Sequence, residues 1–273
     1  MSTAFCIKST LKEIDKVLKL LQKAETKVRS GKMEYYIASK FVDKFQELSI
    51  PFIRLSEICE KAGLTTFSDD VYELSHILWS ISTIDLMYEF DKLKEKILNK
   101  IESLKNRIKE LNVEVREMKV NGNVCYYTNI DSKANVDKCI EITKRFPENI
   151  KNFEIYSCRS GNCVIIKDRK TKEFTFIEFN PRSNIGILES TSDTLCDYFA
   201  KQFGENIQVE YVSSWSCKYR IYNMSFEDVK NIIVNVSPKI RKVKKLMNEI
   251  TRKELFDETE ESTIDILSEK ELL

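Results

Sequence analysis

Residues 1–112 repeat apolar side chains every three or four positions, the period of a helix with one buried face. Leu11, Ile14, Leu18 and Leu21 set the first stripe. Ile37, Phe41, Phe45 and Leu48 set a second, and Pro51 is expected to end that helix because a proline ring lacks the N–H an interior turn needs. A short helix, Phe52–Lys61, then stops at Gly63. Ser68, followed by Asp69 and Asp70, reads as the capped start of the next helix, which Val71, Leu74, Leu78, Ile81 and Ile84 continue. Phe90, Leu93, Ile97, Ile101, Leu104, Ile108 and Leu111 form the longest stripe, with Lys and Glu between them. It fits either an amphipathic helix inside a bundle or an intersubunit coiled coil.

After Leu111 the period falls to two, the alternation of a strand. Asn121-Gly122 between two β-prone runs predicts a tight hairpin, because a type I′ turn needs positive φ at both central positions. A helix is expected from Ser132 to Phe146, before Pro147. Phe153–Cys158, Cys163–Asp168, Phe174–Phe179 and Ile185–Glu189 read as an antiparallel meander. Thr191–Phe203 reads as a helix closed by Gly204, and Ile207–Val212 with Trp215–Tyr222 as a further strand pair. Ser225 and Asp228 cap an expected helix at Phe226–Val234, and Ser237-Pro238 opens another. Both faces of the meander carry apolar residues, so each needs a cover. The C-terminal helices would cover one, and the N-terminal bundle or another subunit the other.

Helices first and antiparallel strands afterwards define an α+β fold: an N-terminal helical bundle, then a β-meander with packed helices. The expected segments are 1–112 (helical), 113–256 (α+β) and an acidic tail, 257–273. Strand–helix–strand alternation with glycine-rich crossovers is missing, which argues against a doubly wound nucleotide-binding sheet.

Composition narrows the class. The chain of 273 residues is 42% hydrophobic and 32% charged with a net charge of +1, so no global field draws it to nucleic acid or a membrane surface. No apolar run approaches the roughly 20 residues a membrane span needs. Lys8, Lys12 and Glu13 interrupt any secretory core near the first residues. Abundant Lys and Glu with little Gln is the direction of hyperthermophile proteins, although an AT-rich genome also enriches Lys, Ile and Asn.

Recognised catalytic signatures are missing: no phosphate-binding glycine loop, no nucleophile elbow and no H-E-x-x-H. His76 is the single histidine and reads as a partly buried structural residue. Glu154, Glu178 and Glu189 are the carboxylates a cryptic enzyme would have to use. The expectation is therefore a non-enzyme without cofactor or bound metal. The eight cysteines contain no C-x-x-C. Cys158 and Cys163 flank a Ser160-Gly161 turn whose symmetry sets them opposite one another, within disulfide range. Close buried thiols in a reducing cytoplasm are the expected state, a disulfide formed by later oxidation is the alternative, and no metal is expected. Lys239, Arg241, Lys242, Lys244 and Lys245 crowd one helical face over 238–253; a solvated face and a phosphate or nucleic-acid contact both fit. Arg182, in the stiff loop Glu178–Gly186, is a second candidate anion contact, and Arg159 sits in a similar turn.

In this Lys-, Ile-, Asn- and Cys-rich, His-poor composition, the whole chain resembles virion proteins of crenarchaeal bicaudaviruses such as the two-tailed Acidianus virus. That resemblance implies a structural or assembly protein of a hyperthermophilic archaeal virus. It would act as a homo-oligomer beside other virion proteins, in the virion and, during assembly, in the host cytoplasm. It transfers no functional residue. Nucleic-acid binding through the basic helix is the alternative.

Overall fold

The computed structural model describes residues 2–144, 152–158, 163–180, 182–210, 215–223, 225 and 232. The chain divides into two compact units, one of residues 1–145 with 155–165, the other of 146–154 with 166–273. The expected boundary at 112 does not coincide with this division, because the first hairpin and the helix after it group with the N-terminal helices.

Five helices open the first unit: α1 (Thr3–Arg29), α2 (Tyr35–Lys61), α3 (Thr65–Trp79), α4 (Thr83–Tyr88) and α5 (Phe90–Glu110). α1 starts at Ser2, whose hydroxyl accepts from the Phe5 amide. A short link joins α1 to α2, and Cys6 near the start of one is bonded to Cys59 near the end of the other, so the pair is an antiparallel hairpin.

Pro51 does not end a helix: α2 runs through it. Phe45, Phe52 and Ile58 are fully buried on either side of the proline, and the Cys59 bond pins the far end. Breaking the helix would expose that face. The carbonyl orphaned by the missing N–H belongs to Glu47, on an exposed turn. The start expected at Ser68 is also corrected. Gly63, at φ 78°, turns the chain, α3 begins at Thr65, and the buried Ser68 hydroxyl donates to the Ser56 carbonyl of α2 at 2.8 Å. Ser82 and Asp85 form a reciprocal capping box on α4. The α5 stripe is consumed within the chain: Phe90, Leu93, Ile97, Ile101 and Leu104 are all buried.

Ion pairs tie α5 to its neighbours. Lys94 reaches Glu25 of α1 at 2.7 Å. Lys100 donates to Asp70 of α3 at 2.6 Å and also to Glu73, while Arg107 reaches Asp70 at 3.0 Å. Burial pushes the Asp70 carboxyl upward, but the hydrogen bonds from Lys100 and Arg107 outweigh it and hold Asp70 below its ordinary value. Burial likewise pushes Lys100 down, and its bonds to Asp70 and Glu73 carry it above the usual lysine range.

The hairpin forms where expected: β1 (Val115–Val120) and β2 (Asn123–Thr128) pair antiparallel, with Asn121 at φ 50° and Gly122 at φ 80°. α6 (Lys133–Lys144) follows, with the Ser132 hydroxyl accepting from the Asn135 amide. β3 (Phe153–Ser157) and β4 (Cys163–Asp168) come next, and the first four strands take the order β1-β2-β3-β4. α1 helps to cover this sheet. Phe5 meets the Tyr156 ring edge-on at 4.9 Å, Tyr126 stacks on Tyr156 at 5.0 Å, and the Lys8 ammonium lies 3.2 Å from the Tyr126 ring centre. The sequence left one sheet face to the N-terminal bundle or another subunit, and on the Tyr156 side helix α1 is in contact.

In the second unit β5 (Phe174–Asn180), β6 (Ile185–Ser190), β7 (Ile207–Val209) and β8 (Cys217–Tyr222) take the order β5-β6-β8-β7. The β5–β6, β6–β8 and β7–β8 pairs are antiparallel. Register places Ile177, Leu188 and Tyr219 in one cross-strand row. α7 (Asp193–Phe203), capped by Ser192, buries Leu195 and Phe199 and packs on β6 and β8, with Cys196 bonded to Cys217. The helices expected at Phe226–Val234 and after Pro238 lie almost wholly outside the described residues, as does the acidic tail.

Candidate functional site

A groove of about 540 Å³ runs along the outside of the α1–α2 hairpin. Lys16, Lys19 and Lys23 form its α1 wall, spaced to share one helical face, and Lys44 with Glu47 forms the α2 wall. Leu20 and Leu48, half-buried, make the floor. Lys16 is paired with Glu13 at 2.7 Å. Among the described residues, no carboxylate pairs with Lys19, Lys23 or Lys44. This is a cationic trough with an apolar bottom.

Helices α2, α3 and α4 leave large apolar side chains in solvent. On α3, Tyr72, His76 and Trp79 step by four and three along one face; the Tyr72 and His76 rings meet at 4.7 Å. His76 is exposed, not the partly buried residue expected, because Leu74, Ser75 and Leu78 occupy the buried face and leave position 76 outside. The Trp79 carbonyl accepts from the Gln46 amide of α2, and Ile50, one turn beyond Gln46, is exposed too. Ile84 and Tyr88 on α4 are 62% and 77% exposed. Scattered exposed apolar residues are ordinary, but a run along consecutive helices is the pattern of a contact surface.

The other sequence candidates fall in several places. Lys239, Arg241, Lys242, Lys244 and Lys245 lie outside the described residues, as does Arg159. Arg182 is exposed in a turn, where its amide donates to the Asn180 side chain, an Asx turn of ordinary kind. Glu178 is exposed on β5, Glu154 is half-buried on β3, and Glu189 is 1% exposed on β6. Glu189 faces Lys218 across the β6–β8 pair at 3.4 Å, and Lys218 also reaches Glu210 at 3.3 Å. Burial pushes Lys218 down, but Glu189 and Glu210 more than restore it, so its ammonium titrates above the usual range. Glu189 is therefore part of a charge-alternating row.

Cys158 and Cys163 face one another as expected, with Cα atoms 5.6 Å apart, but they are bonded and not held as the thiols expected. Sequence reasoning placed these two and missed the rest: Cys6–Cys59, Cys125–Cys139 and Cys196–Cys217 are bonded as well, and no cysteine is left free. The missed pairs join helices to their packing partners over 53, 14 and 21 residues, contacts that tertiary structure alone creates. The even number of cysteines was the one signal in the chain that pointed to complete pairing. Among the described residues no cluster of three or more His, Cys, Asp or Glu is arranged to hold a metal ion. No described helix is long and apolar enough to cross a membrane.

Comparison with family models, with curated proteins and with solved structures finds no match to this chain.

Proposed function

We propose that this chain is a structural or assembly protein that works as a homo-oligomer rather than by catalysis. The observation that carries the reading is the exposed apolar run Tyr72, Trp79, Ile84 and Tyr88 along the consecutive helices α3 and α4. Aromatic side chains supply large contact area at low entropic cost, which suits a protein–protein interface. The four disulfides support the same reading, since they favour persistence over conformational cycling. The setting proposed for it is the virion of a hyperthermophilic archaeal virus, as its composition suggests.

Light scattering at micromolar concentration is expected to return a multiple of 32.0 kDa. Replacing Trp79 and Tyr88 together by Ser should shift the population toward monomer while leaving the far-UV circular dichroism unchanged. A wild-type chain that stays monomeric would overturn the proposal.

A further inference from the structure

We infer that the lysine groove between α1 and α2 receives the acidic segment Asp257–Leu273 of a second copy of this chain. The inference rests on the homo-oligomer reading and names one of its contacts. Its basis is complementarity of two kinds. Lys19, Lys23 and Lys44 line the walls without a carboxylate partner among the described residues, and Leu20 and Leu48 floor the trough. The segment Asp257–Leu273 holds seven carboxylates against a single lysine, Lys270. Among those acids stand Ile264, Ile266, Leu267, Leu272 and Leu273.

The floor decides between ligand classes. A phosphate backbone would use the lysines and leave Leu20 and Leu48 in water. A segment mixing carboxylates with isoleucine and leucine satisfies both surfaces. The lysines would steer and select it, and the apolar floor would hold it.

A charge swap tests this in the full-length chain. Lys19→Glu with Lys23→Glu should raise the concentration at which the oligomer half-dissociates by about tenfold, and Glu260→Lys with Glu261→Lys should do the same. The variant carrying all four changes should return close to wild type. Added salt should weaken the wild-type oligomer in the same direction. An oligomer indifferent to both pairs of changes would overturn the inference while leaving the homo-oligomer reading in place; a monomeric wild type would overturn both. Loss without rescue in the four-change variant would overturn it by removing the pairing. A synthetic peptide of residues 257–273, labelled at one end, should bind the Glu260→Lys, Glu261→Lys chain and lose about tenfold on the chain that also carries Lys19→Glu and Lys23→Glu. Equal binding to both would place the contact elsewhere. Duplex DNA that competes with the peptide at moderate salt would overturn the choice of occupant.

Discussion

Removing the Cys6–Cys59 bond by replacing both residues with Ala should destabilise the first unit more than removing either of its other disulfides. The bond closes a loop of 53 residues, against 14 for Cys125–Cys139 and 5 for Cys158–Cys163. In the chain-entropy description a cross-link acts by narrowing the unfolded ensemble, and the gain grows with the logarithm of the loop. The expected losses are about 4 kcal/mol for Cys6–Cys59, about 3 kcal/mol for Cys125–Cys139 and about 2 kcal/mol for Cys158–Cys163. All six cysteines are buried, so each Ala pair deletes two buried sulfur atoms and the packing loss is similar across the series. Guanidinium unfolding followed by far-UV circular dichroism reads this unit, since α1 to α6 all lie in it. Equal losses in all three variants, or the largest from Cys158–Cys163, would refute the entropic account and point to native-state packing instead.

Thiol counting on denatured protein should find none without reductant and eight with it. Asp70→Asn should cost about 2 kcal/mol at neutral pH, because it strips Lys100 and Arg107 of their shared partner. The folded Asp70 carboxyl titrates below its ordinary value, so its contribution is fully present above the ordinary carboxylate range and is lost as pH falls through the lower folded value. Chemical denaturation at a series of pH values should show wild type and variant converging in acid, and a constant gap would refute the linkage. Gly122→Ala, at φ 80°, should cost about 1 kcal/mol or more in the same assay by straining the hairpin turn. Thr10→Val should raise stability by about 1 kcal/mol, since the Thr10 hydroxyl is fully buried with no hydrogen-bond partner among the described residues.

The elements were legible where local chemistry dictates them. The α5 stripe, the Asn121-Gly122 turn and the strands β3 to β6 lie where periodicity and turn residues put them, within a residue or two. Pro51 and Ser68 misled because tertiary burial overrode a local rule. The helix around Pro51 holds Phe45, Phe52 and Ile58 in the core, and Ser68 spends its hydroxyl on a neighbouring helix instead of a cap. Cys158 and Cys163 were found because a hairpin fixes its own register. The other cysteines needed the packing of α1 on α2, α6 on β2 and α7 on β8, which no short window contains. The lysine groove was hidden for the same reason, because Lys44 meets Lys19 and Lys23 only once the hairpin of α1 and α2 has closed.

Three of the four disulfides join a helix to the element it packs on, and their sulfurs belong to residues no more than 4% exposed. Thiol–disulfide exchange needs a thiolate to reach a sulfur in line, so a reductant cannot act on these bonds until the helix lifts. The bond, however, is what opposes that lifting. Each cross-link thus protects itself, and the protection is kinetic as well as thermodynamic. Cys158–Cys163 differs: it spans two strands of one hairpin, and Cys163 is 7% exposed. Under native conditions, mass spectrometry of trapped thiols should show Cys158 and Cys163 labelled first, at a rate that rises with reductant concentration. Cys6 and Cys59 should follow last, at a rate that levels off once opening of the helix pair becomes limiting. Simultaneous labelling of all eight cysteines would mean instead that the whole chain opens as one unit before any bond is reached.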